Sequence, residues 1–192
     1  MSEISLDERS ALVIVDIQLD FCAGGAIPVP NGDSVVPVLN KYLKLFLSAG
    51  ALIVATRDWH PASHSSFKSN GGVWPTHCVM NTKGARFHPD LNLPRDFIVV
   101  SKGEFPDDSS YSNFERTSLL SNLRDRKTEN VYIGGLATDY CVRATVIDSV
   151  KLGFTTYLLS DASRGVDVNH GDSMRAISEM VKLGATEIVK FS

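Results

Sequence analysis

Cysteine is scarce in this chain. The 192 residues hold three, Cys22, Cys78 and Cys141, too few and too odd in number for a disulfide framework in a chain long enough to close its own apolar core. At least one thiol is therefore expected to be free. Excess charge of either sign is also lacking: 19 Lys and Arg stand against 22 Asp and Glu, for a formal net charge of −3. Without a basic excess, neither a nucleic-acid partner nor an anionic membrane surface is expected. No apolar run approaches the ~20 residues that span a bilayer. The opening segment MSEISLDERS has neither the basic flank nor the apolar stretch of a secretory signal, so a cytoplasmic protein is expected. Repeats, linkers and low-complexity tracts are missing too, which predicts one domain over 1–192.

What the sequence does contain is alternation. Apolar runs at Ala11–Asp16, Ala51–Asp58, Phe97–Lys102, Val131–Leu136, Thr155–Asp161 and Thr186–Phe191 read as buried strands. Helical patterns fall between or after them at Val35–Ser48, Glu115–Arg124, Asp139–Leu152 and Asp172–Leu183, three of them stopped by Gly50, Gly153 and Gly184. The pattern predicts an α/β fold, an open and mainly parallel sheet of about six strands with helices on both faces, Rossmann-like and three-layered. Pro61–Leu93 is long, aperiodic and rich in Gly, Pro and Ser, and loops of that length inside a compact domain are usually functional or disordered.

Reactive side chains fall at the carboxyl ends of the expected strands. Asp16 closes the first, Asp58 and His60 follow the second, Lys102 closes the third, and Cys141 lies just past the fourth. In a parallel sheet these ends share one edge, where ligands bind. Singly, each has an ordinary explanation: Asp16 as a turn cap, Lys102 as a surface charge, Cys141 as a small core residue. Together they match the needs of thiolate chemistry. A base must take the thiol proton and positive potential must hold the anion. Asp16 can be the base, and Lys102, with the helix start after Asp139, can supply the potential.

A second constellation spans RDWHPASH (Arg57 to His64) and WPTHC (Trp74 to Cys78). Residues i and i+2 of extended backbone project to one side, so Asp58 and His60 can share an ion, with His77 returning as a third ligand. One carboxylate and two imidazoles suit zinc, iron(II) or manganese. Spacing alone leaves open that His60 and His77 are plain loop histidines. His64 could add a ligand but is expected to be an exposed loop histidine, and His88 and His170 are expected to be structural.

The segments VDIQLDFCAGGAIPV, TRDWHPASHSSF, WPTHCVMNTKGARFHPDL, VSKGEFPDDSSYSNFE and GGLATDYCVRATVIDSVKLGF resemble the nicotinamidases of the isochorismatase-like cysteine hydrolase superfamily over nearly the whole chain. The joined DWH and WPxHC segments resemble its metal-binding branch. The resemblance implies an isochorismatase-like fold and conversion of nicotinamide to nicotinate and ammonia in NAD salvage through a thioester on Cys141, with pyrazinamide fitting the same ring site. It implies Asp16, Lys102 and Cys141 as catalytic residues and Asp58, His60 and His77 as ligands of one divalent metal ion, zinc before iron or manganese. It further implies a non-proline cis peptide at Leu136 and Ala137 that aims the amides of Ala137 and Cys141 at an oxyanion, and ring-binding aromatics at Phe21, Trp74 and Tyr111. Ligands beyond those three, near Ser63–Ser66, vary among relatives, and a homo-oligomer is left open.

Three rival readings remain at this point. A sister hydrolase acting on another small amide or carbamoyl compound would work without metal. A binding or sensor module would keep the fold without the chemistry, although it would have no need of Asp, Lys and Cys together. Cys22 and Cys78 could also form a redox pair, against which stands the ordinary reading of two buried thiols.

Overall fold

The computed structural model describes residues 6–190. Phe191, the end of the last expected strand, lies outside them. Six strands are present among the described residues: β1 (Ser10–Val15), β2 (Leu52–Asp58), β3 (Ile98–Lys102), β4 (Asn130–Leu136), β5 (Thr155–Arg164) and β6 (Thr186–Ile188). They form one sheet in the order β3-β2-β1-β4-β5-β6, and every pairing is parallel. The open parallel α/β sheet expected from the alternation is therefore the fold.

Strand periodicity divides the core into two layers. Leu12 and Ile14 of β1 and Ile53 of β2 face Leu39, Tyr42, Leu43 and Phe46 of α1 (Val36–Ser48). Their neighbours Ala11, Val13, Val15, Leu52 and Val54 face the opposite way. They meet Leu119 and Leu123 of α2 (Leu119–Asp125), Val146 and Ile147 of α3 (Arg143–Lys151), and Ala176 and Met180 of α4 (Asp172–Lys182). All six residues of β1 are buried, as a strand covered on both faces requires. Pro37 occupies the first turn of α1, where its missing N–H costs nothing, and Gly50 at φ +70° ends the helix.

Several boundaries differ from the sequence pattern. The second helix starts at Leu119 rather than Glu115 because Arg116 takes a left-handed φ of +54° and the Thr117 hydroxyl accepts the Leu119 N–H at 3.1 Å. The expected Asp139–Leu152 helix opens as a wider π turn over Thr138–Val142 before α3 begins. β5 runs on to Arg164, with a register shift against Ile133 and Gly135 that no apolar pattern encodes. No helix among the described residues is long and apolar enough to cross a membrane.

The sheet order reverses direction at β1, whose partners β2 and β4 lead to opposite edges. In open parallel sheets, such a switch point leaves a crevice at the carboxyl ends of the two central strands. Asp16 follows β1 and Ala137 follows β4.

Candidate active site and metal centre

Sheet register explains how distant residues meet. Asp58 and Lys102 are register partners in the β2–β3 pairing, so their side chains stand side by side. Thr56 and Asp58 continue the face begun by Leu52 and Val54, which is the face covered by α3. Asp16 leaves β1 at φ +50° and its N–H donates to the Thr56 carbonyl at 3.3 Å. The turn before α3 brings Cys141 onto the same side.

The result is a buried row of charges. Lys102 is 1% exposed, and its ammonium donates to Asp16 Oδ2 at 2.8 Å and to Asp58 Oδ1. The Thr56 hydroxyl donates to Asp16 Oδ1 at 2.6 Å. Ligand atoms of Asp16, Asp58 and Cys141 lie within 4.8 Å of one another. Burial raises the Asp16 carboxyl above its ordinary range, and Lys102 offsets only part of that. Burial also works against ionised Asp58, but there the Lys102 ammonium prevails, and the carboxylate stays ionised well below its usual range. Lys102 remains protonated: desolvation opposes its charge, and the two carboxylates overcome it. Burial drives the Cys141 thiol well up, with Asp16 adding to the effect against the pull of Lys102. A neutral thiol beside a carboxylate of raised basicity is the arrangement for proton transfer during attack, not for a standing thiolate.

Asp58 also joins the second constellation. His60 donates from Nδ1 to the Gly103 carbonyl at 3.0 Å, and His77 donates from Nδ1 to the Pro75 carbonyl at 2.7 Å. Because a carbonyl can only accept, both rings carry their proton on Nδ1 and turn the Nε2 lone pair towards Asp58 Oδ2, at 3.4 and 3.8 Å. Two ligand atoms around a tetrahedral zinc at its usual bond lengths stand roughly 3.3 Å apart. The donor set therefore fits a divalent ion, with its outer hydrogen bonds in place. Burial favours the neutral form of His77, which is the form that ligates. Gly103 sits at φ +69° where a β-carbon would run into the His60 ring, so the close approach of this loop to the histidine requires glycine.

Cys141 of the first cluster and Asp58, His60 and His77 of the second line one cavity of about 260 Å³. Its walls include Phe21, Trp74, Tyr111, Ala137 and Tyr140 along with Asp58, His60, His77 and Cys141. Trp74 Nε1 donates to the Tyr111 hydroxyl at 3.1 Å, and Tyr140 meets Trp74 and Tyr111 with ring centroids 5.4 Å from each. The Leu136–Ala137 peptide is cis. All eleven residues singled out in the sequence thus converge on the cavity or its floor, Lys102 and Asp16 lying beneath it.

A model of the Isochorismatase domain matches residues 10–188. The chain belongs to the isochorismatase family. Among isochorismatase-family relatives, the nicotinamidase of Escherichia coli strain K12 is 43% identical over 197 residues, covering 92% of each chain. The nicotinamidase/pyrazinamidase of Mycobacterium tuberculosis strain H37Rv is 37% identical, covering 93% of this chain and 97% of its own. The crystal structure of a pyrazinamidase of Pyrococcus horikoshii in complex with zinc superposes with a TM-score of 0.90 at 49% identity, covering 94% of this chain and 98% of that one.

One expectation fails in this isochorismatase-family site. His64 is not an exposed loop histidine but is 1% exposed, because the loop folds inward and uses both ring nitrogens. Other residues escaped notice. Gln18 donates from Nε2 to the Asp58 and Ala85 carbonyls at 2.8 and 3.0 Å, while its Oε1 accepts the Asp58 N–H at 2.8 Å. Asp20 Oδ2 accepts the Cys78 N–H at 2.7 Å, holding the WPTHC turn. The signal available for both was a polar residue in an otherwise apolar stretch just past a strand end. Cys22 and Cys78 are free, buried thiols, and burial followed by the Asp33 charge pushes Cys22 up to about 12. His88 faces Asp33 at 3.4 Å, and His170 is exposed.

Proposed function

We propose that the protein is a nicotinamidase that hydrolyses nicotinamide to nicotinate and ammonia in NAD salvage, with pyrazinamide as a second substrate. The observation that carries this reading is the cavity: the Cys141 thiol, an Asp-His-His donor set and aromatic side chains line it, with the Asp16 carboxylate and the Lys102 ammonium buried beneath. Relatives named nicotinamidase at up to 43% identity over most of the chain support it.

Asp58, His60 and His77 would hold one divalent ion, zinc in preference to iron or manganese. When bound, it would supply a Lewis-acid anchor for the ring nitrogen of the substrate. Phe21, Trp74 and Tyr111 flank the ring and place the carboxamide over Cys141. Asp16 takes the Sγ proton as Sγ bonds to the carbonyl carbon, and the oxygen takes the charge towards the amides of Ala137 and Cys141. Lys102 keeps its proton throughout and stabilises the Asp16 carboxylate. Collapse of the adduct breaks the carbon–nitrogen bond as Asp16 returns its proton to nitrogen, releasing ammonia and leaving a thioester. Asp16 then takes a proton from water, whose oxygen attacks the thioester. Nicotinate leaves and the thiol is restored. The compartment consistent with this role is the cytoplasm.

The test is ammonia release from nicotinamide by the purified protein, before and after chelation and with zinc, iron or manganese restored. Release that falls with chelator and returns with metal supports the reading, and Cys141→Ala abolishes it while nicotinate still binds. Full activity after complete metal removal would favour a sister amidase, and turnover retained by Cys141→Ala would overturn the mechanism.

A further inference from the structure

We infer that His64 is a positioning residue for the substrate cavity, tying the Asp108–Tyr111 wall to the His60 side without being a metal ligand; the inference rests on the nicotinamidase reading. His64 Nε2 lies 2.7 Å from the Asp108 carbonyl, which can only accept, so this nitrogen carries the proton. Nδ1 is left as an acceptor, taking the Ser66 hydroxyl at 2.7 Å and the Ser66 N–H at 3.3 Å. Neither nitrogen has a lone pair to spare for an ion, although the ring stacks on that of His60 with centroids 4.1 Å apart. Turning it to ligate would break two short hydrogen bonds, the one to Asp108 buried.

The backbone around His64 is fixed as firmly. Its carbonyl accepts the Phe67 N–H at 3.2 Å and the Asn70 side-chain amide at 2.9 Å, and the Ser65 N–H donates to the Pro106 carbonyl at 2.7 Å. Three bonds thus tie the 64–74 segment to the 106–111 segment: Ser65 to Pro106, His64 to Asp108, and Trp74 to Tyr111. The first is backbone to backbone, and the third joins side chains at the cavity rim, where Tyr111 is 42% exposed. Only the His64 bond is made by a buried side chain that also lines the cavity. Releasing it loosens the Asp108 backbone that leads to Tyr111, whose hydroxyl is then held by the rim bond from Trp74. It does not touch Asp16, Lys102 or Cys141. The loss therefore falls on ring binding rather than on the chemical step.

Two isosteres separate the bonds. His64→Gln can place an amide N–H where Nε2 stood and keep the bond to Asp108; His64→Asn mimics only Nδ1, reaching Ser66 but not Asp108. With metal-loaded protein, nicotinamide kinetics, nicotinate affinity and metal per chain are measured for each. Expected is a KM for Gln within about twofold of wild type. For Asn, KM and the nicotinate Kd rise about tenfold, the loss of one buried hydrogen bond. In both, kcat stays within about threefold and metal content is unchanged. If Asn does not fold, His64→Met, which fills similar volume without a donor, replaces it with the same expectation. Unchanged KM in the Asn or Met variant, loss of metal, or a fall in kcat alone would each overturn the inference. A wild-type protein that releases no ammonia from nicotinamide would fail the nicotinamidase reading instead.

Discussion

At the scale of single residues, the three thiols are sorted by where they point. Cys141 is 7% exposed and lines the cavity, Cys22 is 1% exposed, and Cys78 is fully buried. The Cys22 thiol, pushed up to about 12, is protonated at neutral pH, and the thiolate is the form that reacts. Native protein treated briefly with iodoacetamide should carry label on Cys141 alone, because Cys141 lines the cavity and has Asp16 beside it to take its proton during attack, and nicotinate should slow the reaction. Cys22 and Cys78 should be labelled only after unfolding. Peptide mapping by mass spectrometry checks this, and early label on Cys22 would contradict the burial described. The place of Cys141 at the cavity was legible in the sequence because Cys141 follows a strand end, and a strand end fixes the edge of the sheet a residue occupies. The burial of His64 was not legible. It depends on a carbonyl at Asp108, 44 residues away, and backbone partners leave no mark in residue type.

At the scale of elements, strands were easier to read than the loops that join them. Continuous apolar runs mark β1 and β2 because both faces are covered, and the register that sets Asp58 beside Lys102 follows from parallel pairing. The start of α2 was misread because Arg116 in left-handed backbone breaks the helical pattern with a residue that does not announce a break. Gln18 shows what the loop sequence concealed. Its amide joins the end of β1 to Asp58 at the end of β2 and to Ala85 in the long loop, satisfying three buried backbone groups at once. Gln18→Ala leaves one N–H and two carbonyls without that partner, so a loss of about 2 to 4 kcal/mol is expected. Denaturant unfolding of the metal-free protein measures it. Metal affinity should fall too, since the Asp58 backbone loses its brace. An Ala variant as stable as wild type would show that water fully replaces the amide.

At the scale of the whole molecule, the proposed metal centre ties together pieces of chain that the sheet alone does not. Asp58 ends β2, His60 begins the long loop, and His77 comes back from its middle, with His60 and Val79 forming an isolated bridge beside them. The ligand atoms are already within 4.8 Å of one another, so an ion would find a formed site rather than having to build one. An ion that binds the folded chain and not the unfolded one stabilises it by mass action, about 2.7 kcal/mol when free metal is 100 times its dissociation constant. In a chain of this length each kcal/mol raises Tm by roughly 2 to 4 °C. Zinc added to chelated protein should thus raise Tm by about 5 to 11 °C, climbing with the logarithm of free zinc. His77→Ala removes one ligand and one lone pair without touching the Asp16–Lys102–Cys141 row, so its unfolding should become nearly indifferent to zinc. Differential scanning calorimetry across a zinc series distinguishes the cases without reference to turnover. A zinc response that survives in His77→Ala would place the ion elsewhere in the molecule, and no response in wild type would remove the metal from the proposed reaction.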